Sequence, residues 1–326
     1  MRKFYFDTKK QICALKTVCI FAFMGVLTLG VSSCRSSVPK ETLFSGFITV
    51  AVDETLFPII NEEVFVFEAM YPMATVVTKS VSEVEAINML LHDSTRLAVM
   101  TRPLTDEEIS YLNSRKLFPK SIKMAMDGMA FVINKKNSDS IISVNALKKI
   151  LSGKVLRWNE LFSHSRLGQF SIAYDDRNSS TVRYVQDSII RDKNLSPRSF
   201  AAGSSEAVVK YVKETPNAIG IIGVNWISSE HDSVTREFLN DVQVMRISKE
   251  DKATYENSCQ PYQYYLYTRQ YPFVRVLYLN INDPLGGLPT GFTNFVTSGR
   301  GQRIILKAGL LPATMPVNIV NVREEL

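Results

Sequence analysis

The sequence has little cysteine and histidine, and both shortages exclude kinds of site. Of its four cysteines, Cys13, Cys19 and Cys34 lie in or at the end of an N-terminal apolar segment, so the body of the chain contains Cys259 alone. An internal disulfide in the body is therefore excluded. The three histidines lie far apart in sequence, and none has a second histidine or a cysteine at metal-ligand spacing. No metal site is predicted.

The body also lacks a marked excess of either charge. The formal net charge of +6 falls to +2 without the first 33 residues, because these hold five basic residues and one acidic residue. A charge this small does not indicate nucleic-acid binding. The sequence contains no Gly-x-Ser-x-Gly nucleophile elbow. We therefore expect neither an enzyme nor a cofactor site.

The N-terminus has the pattern of an export signal. Basic residues precede a charge-free apolar run over residues 17–31, and Ser32, Ser33 and Cys34 follow it. The small-small-Cys ending resembles a bacterial lipoprotein signal. We predict a signal peptide over residues 1–33, lipidation of Cys34, a tether over 34–43 and a location in the bacterial cell envelope. A single N-terminal anchor helix is the alternative.

Beyond the tether, strands alternate with helices. Buried strands are predicted at 47–52, 75–79 and 97–100, each followed by a helical apolar spacing. The alternation begins again near residue 129. We predict an α/β fold of two lobes, each a mainly parallel sheet flanked by helices, with a cleft between them. Lobe I comprises residues 44–126 plus 270–326, and lobe II comprises 127–269.

Two later segments extend this prediction. Five tyrosines between residues 262 and 271 alternate along the chain, which favours a strand crossing between the lobes. The segment from residue 292 to 308 has helical spacing. We expect it to pack on lobe I.

Three predicted strands end in turns that carry hydroxyl side chains and begin a helix. Thr55 follows the first strand, Ser80 and Ser82 follow the second, and Ser179, Ser180 and Thr181 follow the strand at 170–174. The first N–H groups of a helix lack intrahelical partners and favour negative charge. Such turns meet at one edge of an open sheet. The turns are either simple helix caps or, together, a cradle for a small anion.

Several longer stretches match a known family. The chain resembles the substrate-binding lipoproteins of phosphate-type ABC transporters, which have a type II periplasmic-binding-protein fold. The matching stretches are residues 55–58, LAVMTRPLTDEE (97–108), DGMAFVINKKN (127–137), VNALKKILSGKVLRWNEL (144–161), NSSTVRYV (178–185), PNAIGIIGVNWI (216–227) and SGRGQRIILKAGLLP (298–312).

The resemblance implies a function and a site. It implies that the lobes close on a small oxyanion, with phosphate as the expected ligand, and deliver it to a membrane permease without making or breaking a bond. A monomer is expected. The implied ligand contacts are Thr55, Leu56, Ser80, Ser82, Ser179, Ser180 and Thr181.

The chain departs from the family at charged positions. The family has an acidic residue before the third strand where this chain has Arg96, and an arginine where this chain has Asp175. Glu54 is the candidate for the proton-accepting role. Arg177 or Arg102 is the candidate for balancing the ligand charge, although Arg102 before Pro103 also fits a turn in which it pairs with a nearby carboxylate.

Two other functions stay open. In one, the fold is kept but the phosphate site is degraded, so that the protein is a sensor or binds another ligand such as sulfate or molybdate. The carboxylates near the cradle motivate this alternative, because they repel a dianion. In the other, the protein is an extracytoplasmic hydrolase with Ser179 or Ser180 as nucleophile and His164 or His231 as base.

Overall fold

The computed structural model describes residues 41–227 and 242–315. The predicted signal peptide, the tether up to residue 40, Cys34 and His231 lie outside the described residues. Within the described residues, no helix is both long enough and apolar enough to cross a membrane.

Strands and helices alternate along the described chain. The strands are β1 (Gly46–Asp53), β2 (Ala74–Val81), β3 (Leu97–Met100), β4 (Lys120–Asn134), β5 (Ile141–Ser143), β6 (Ser171–Tyr174), β7 (Ser199–Ala201), β8 (Ala218–Gly223), β9 (Val242–Val244), β10 (Arg246–Ser248), β11 (Ser258–Cys259), β12 (Val274–Ile281) and β13 (Leu311–Pro312). The helices are α1 (Phe57–Met70), α2 (Glu83–Leu91), α3 (Asp106–Ser114), α4 (Val144–Leu151), α5 (Ser180–Tyr184, continued by a π-helical Val185–Ile190), α6 (Ser205–Glu214), α7 (Gln263–Tyr267), α8 (Leu288–Thr297) and α9 (Gly299–Lys307).

The main sheet has the order β2-β1-β3-β12-β4-β8-β6-β7. The pairs β1–β2 and β1–β3 at one end, and β6–β8 and β6–β7 at the other, are parallel, as the alternation predicts. The two central strands β4 and β12 pair antiparallel with their neighbours. The fold is thus a mixed α/β arrangement in which two parallel units are joined through antiparallel strands.

Strand β4 belongs to both halves of this sheet. Its residues 120–128 pair with β12, and its residues 129–133 pair with β8. The predicted lobe boundary between residues 126 and 127 falls inside this strand. The exact limits of the lobes stay a prediction. The change of partner along β4 shows where the chain passes from one half of the sheet to the other.

Each half has its own hydrophobic core. In the first half, Phe67 of α1 packs with residues of β1 and β3 and with Phe292 of α8. The prediction that the C-terminal helical segment packs on the first half is confirmed. In the second half, Phe131 and Trp158 lie in one cluster, while a further cluster packs α6 against β8.

Two local predictions have different outcomes. Thr105 and Glu108 are three residues apart, a spacing that predicts a capping box. Helix α3 begins with this capping box, because Thr105 and Glu108 each accept a hydrogen bond from the backbone N–H of the other. The predicted strand through the tyrosines is wrong, since residues 263–267 form α7. Leu266 is buried there, and the backbone N–H of Leu266 donates to the carbonyl of Tyr262, as in a helical turn. The spacing of the tyrosines alone did not distinguish the period of a strand from that of a helix.

Candidate functional site

The turn after β1 is a single 3-10 turn, Glu54–Leu56, that leads into α1. Asp53, not Thr55, caps it: the Asp53 Oδ1 atom accepts from the Thr55 N–H at 3.0 Å and from the Thr55 hydroxyl at 2.9 Å. The side chains of Asp53, Thr55 and Leu56 are all fully buried. Leu56 lies in the hydrophobic core of the first half. The turn thus places one hydroxyl and one carboxylate at the end of the strand.

The turn after β6 places three hydroxyls in a similar position. Ser179 caps α5 by accepting from the Val182 N–H at 3.2 Å. The Ser179 hydroxyl donates to the Asp175 Oδ1 atom at 2.7 Å, and the Thr181 hydroxyl donates to Oδ2 at 3.4 Å. Ser180 is fully buried. The cap that the sequence predicts is present, and the same hydroxyls also solvate a buried carboxylate.

The two turns meet, although 125 residues separate them in sequence. The Thr55 and Ser180 hydroxyl oxygens are 3.2 Å apart. The side-chain amide of Asn225 and the indole N–H of Trp226 both donate to the Thr55 carbonyl, at 2.8 and 3.1 Å. The first turn is therefore held by groups of the second half, which is the arrangement of a closed cleft.

The guanidinium of Arg275 lies where the two turns meet. It donates from Nη1 to the Ser180 hydroxyl at 3.0 Å and from Nη2 to the Thr55 hydroxyl at 3.1 Å. It also donates from Nε and Nη2 to the Asp127 Oδ2 atom, at 3.0 and 2.8 Å. Sequence reasoning missed this arginine. An available signal was a basic residue inside the apolar strand VRVLYLNI.

Comparison with known proteins identifies the family of this chain. Residues 35–300 match the family model described as the PBP superfamily domain. The chain belongs to the PBP superfamily. Among similar proteins, a phosphate-binding protein PstS of Pseudomonas aeruginosa is 21% identical over 310 residues, 90% of this chain and 88% of the relative. Another, from Borreliella burgdorferi, is 22% identical over 307 residues, 91% of this chain and 99% of the relative.

Solved structures show the same fold. A phosphate ABC transporter substrate-binding protein of Clostridium perfringens, determined with bound phosphate, has a TM-score of 0.69 at 18% identity and covers 82% of this chain and 100% of that one. An ABC-type phosphate transport receptor from Vibrio cholerae has a TM-score of 0.60 at 17% identity, with coverage of 82% and 100%. The two-lobed fold of the PBP superfamily is therefore the fold of this chain.

The second turn of this PBP-superfamily chain brings a carboxylate, not its serines, to the other half. Ser80 is exposed, and Ser82 caps α2 by accepting from the Glu85 N–H at 3.3 Å. Glu83 is buried and accepts from Arg183 of α5, at 2.6 Å from Nε and 3.1 Å from Nη2. This ion pair joins the two halves across the cleft.

The charged candidates occupy different places. Glu54 accepts from the backbone N–H and the hydroxyl of Ser205, at 2.9 and 2.8 Å, so it caps α6 of the opposite half. Arg102 pairs with Glu108 at 2.7 Å, in the turn that leads to α3. Arg177 is exposed. Among these three, Glu54 is the side chain whose contacts join the first turn to the second half.

The two charged positions at which the resemblance implies a departure from the family, Arg96 and Asp175, lie in different parts of the structure. Arg96 pairs with Glu41 at 2.7 Å and with Asp283 at 3.2 Å, so its charge is used to hold the start of the described chain. Asp175 lies in the cleft, at the hydroxyls of Ser179 and Thr181. An aspartate therefore lies in the cradle of this PBP-superfamily chain, and the arginine that lies there comes from β12.

The carboxylates of the cleft have raised pKa values. Burial raises the pKa of Asp175 to about 7, against the opposing effect of the Ser179 hydrogen bond. Burial raises the pKa of Asp53 to about 6, and the nearby charge of Glu83 acts in the same direction. The pKa of Glu54 is also raised by burial, while the bonds from Ser205 oppose this. An anion entering the cleft meets groups that take up protons near neutral pH.

The hydroxyls have no histidine beside them in the described residues. Ser179 bonds to Asp175 and Val182, and Ser180 bonds to Arg275 and Thr55. The exposed side chain of His164 lies 3.2 Å from Asp139. His231, the other base of the hydrolase alternative, lies outside the described residues. The geometry favours binding by the hydroxyls over their activation as nucleophiles.

Proposed function

We propose that this chain is the extracytoplasmic solute-binding component of an ABC-type importer and that it captures a small oxyanion, phosphate first among them. The observation that carries the proposal is the contact of the Thr55 and Ser180 hydroxyls, 3.2 Å apart, beside the guanidinium of Arg275. Hydroxyls of two helix-initiating turns and a guanidinium are donors suited to an oxyanion. The relatives named as phosphate-binding proteins support phosphate as the ligand.

Ligand capture proceeds by hinge closure. Asn225, Trp226 and Ser205 contact the first turn, and all three come from the second half. A ligand that touches both turns stabilises the closed arrangement by its higher affinity for it. The closed protein then delivers the oxyanion to a membrane permease, and no covalent bond changes.

The test is calorimetric titration of the purified full-length protein with phosphate, sulfate, molybdate and tungstate. We expect one saturable site for phosphate and weaker or no binding of the other three. A variant of Arg96, whose ion pairs lie at Glu41 and Asp283, serves as the control for a changed surface charge. The absence of heat with all four anions would contradict the proposal.

One observation favours a second candidate, a binder or sensor for a different ligand. The hydroxyls of Thr55, Ser179 and Thr181 donate to carboxylates of the chain itself. These carboxylates oppose a dianion while they are ionised. Saturable binding of another oxyanion, with none of phosphate, would decide for this candidate.

We also propose that the protein is lipid-anchored at Cys34 in the cell envelope and acts as a monomer. The apolar run over 17–31 with its small-small-Cys ending supports the anchor. Metabolic labelling with a fatty-acid analogue should be lost in Cys34→Ala. Light scattering of the purified protein should give the mass of one chain, and a larger mass would contradict the monomer.

A further inference from the structure

Arg275 is the one positively charged residue that the structure buries among residues 41–227 and 242–315. Its side chain is 1% exposed. The same buried region holds the carboxylates of Asp53, Asp127 and Asp175. A bound anion adds negative charge to this set, so a nearby cation is needed to offset it.

The position of this guanidinium is set by several groups at once. Arg275 of β12 and Asp127 of β4 lie directly opposite each other in the antiparallel pairing. The Asp127 Oδ1 atom accepts from the Val224 N–H at 3.1 Å, which fixes the carboxylate in turn. At Gly223 an added Cβ would lie 2.7 Å from Arg275 Nη2 and 2.8 Å from Asp127 Oδ2. A glycine there leaves room for the pair.

A purely structural ion pair would explain only part of these contacts. Arg275 donates hydrogen bonds to Asp127 from Nε and Nη2. It also donates from Nη1 to the Ser180 hydroxyl and from Nη2 to the Thr55 hydroxyl. Those two hydroxyls belong to the turns that meet across the cleft. The planar fork of arginine suits such contact with several oxygens, including those of an oxyanion.

The other arginines near the cleft are used differently. Arg183 pairs with Glu83, and Arg102 pairs with Glu108. Arg177 is exposed. Their positions leave Arg275 as the cation at the meeting point of the hydroxyl turns.

We infer that Arg275, held in place by Asp127, is the cation that contacts the bound oxyanion together with the Thr55 and Ser180 hydroxyls. This role rests on the proposed oxyanion-binding function. It assigns the charge balance of the ligand to a strand that links the two halves, and not to the turn after β6.

The test compares phosphate affinity by calorimetry in Arg275→Lys, Arg275→Gln and the double variant Arg275→Gln with Asp127→Asn. We expect affinity to fall about tenfold for lysine, which keeps the charge but loses the fork. We expect a fall of about thirtyfold or more for glutamine. Arg96→Gln is the matched control, because it also removes an arginine from an ion pair with a buried aspartate, Asp283.

The double variant separates binding from folding, since it removes both members of the Arg275–Asp127 ion pair and leaves neither as an unpaired buried charge. Circular dichroism and thermal unfolding establish that it is folded. A folded double variant that binds phosphate within threefold of the parent protein overturns the role of Arg275 and leaves the proposed function intact. A parent protein that binds none of the four anions overturns both. Loss of binding in the folded double variant, with affinity retained in Arg96→Gln, supports the inference.

Discussion

We predict that Asp175 contributes to the pH dependence of anion binding and that Asp175→Asn removes this contribution. The carboxylate accepts from the Ser179 and Thr181 hydroxyls, the donors that the proposed ligand needs. Its neighbours Asp53 and Glu54 add negative charge. An oxyanion that enters beside an ionised Asp175 must overcome this repulsion, whereas a protonated Asp175 can donate a hydrogen bond to it.

The size of the effect follows from the pKa. Burial raises the pKa of Asp175 from 3.8 to about 7, so the ligand-free protein carries the proton below pH 7 and loses it above. Protonating Asp175 when the anion binds costs about 1.4 kcal/mol for each pH unit above the pKa. At pH 8.5 the cost is about 2 kcal/mol, or about a thirtyfold loss of affinity relative to pH 6. Asparagine is neutral throughout and has no such cost.

The same pKa predicts the stability of the ligand-free protein. Because the folded state binds the proton more tightly than the unfolded state, stability falls as the pH rises from about 4 to about 7. The full loss from Asp175 is about 4 kcal/mol. Asp53, with a pKa of about 6, contributes a loss of the same sign. Asp175→Asn should be stabilised relative to the parent protein at pH 8 and much less so at pH 4.

The assay is calorimetric titration of phosphate into both proteins between pH 6 and 8.5. The ratio of the two dissociation constants cancels the titration of phosphate itself. We expect this ratio to change about tenfold per unit above pH 7, and we expect the parent protein to take up about one proton more than Asp175→Asn in buffers of different ionisation enthalpy. A ratio constant within threefold over the whole range would show that Asp175 does not face the anion.

Three further predictions concern the cap, the interlobe ion pair and a buried glutamate. Ser179→Ala should lower the free energy of unfolding by about 1 kcal/mol through the lost cap and weaken phosphate binding by about 1–3 kcal/mol; a loss of stability with unchanged affinity would mean that the turn is only a cap. Glu83→Gln weakens the bond to Arg183 across the cleft, so we expect the binding free energy of phosphate to weaken by about 2 kcal/mol. Small-angle scattering should show a larger radius of gyration for the ligand-free variant than for the ligand-free parent protein. Equal radii of gyration would contradict this prediction. Burial raises the pKa of Glu63 to about 9, so the parent protein loses stability as the pH rises from about 4.5 to about 9. In urea unfolding at pH 7.5, Glu63→Gln should therefore be more stable than the parent protein by about 4 kcal/mol. A stability difference between the two proteins that does not change with pH would refute this prediction.

Much of the local structure follows from residues close together in the sequence. The strands at 97–100 and 218–223 are apolar over nearly their whole length, which is the pattern of strands buried on both faces. The capping box at Thr105 and the cap at Ser179 depend on a spacing of three residues. These features need only the backbone geometry of a helix or a strand, so the sequence predicts them and their positions.

The charge arrangement of the site could not be predicted in the same way. Arg177 and Arg102 were the candidates nearest in sequence to the predicted turns and strands, yet the arginine beside Thr55 and Ser180 comes from β12, 95 residues beyond Ser180. Its position depends on the antiparallel pairing of β12 with β4, which brings Arg275 opposite Asp127. Local pattern contains no information about such a pairing.

From the sequence alone came the order of strands and helices, the hydroxyl-bearing turns, the prediction of a leader that ends at Cys34, and the family resemblance. Periodicity and capping act over a few residues, so a linear reading suffices for them. The tertiary structure alone decided which carboxylates and which arginine share the cleft. Burial and the charges of residues far apart in sequence set their pKa values, and those depend on the distances that folding creates.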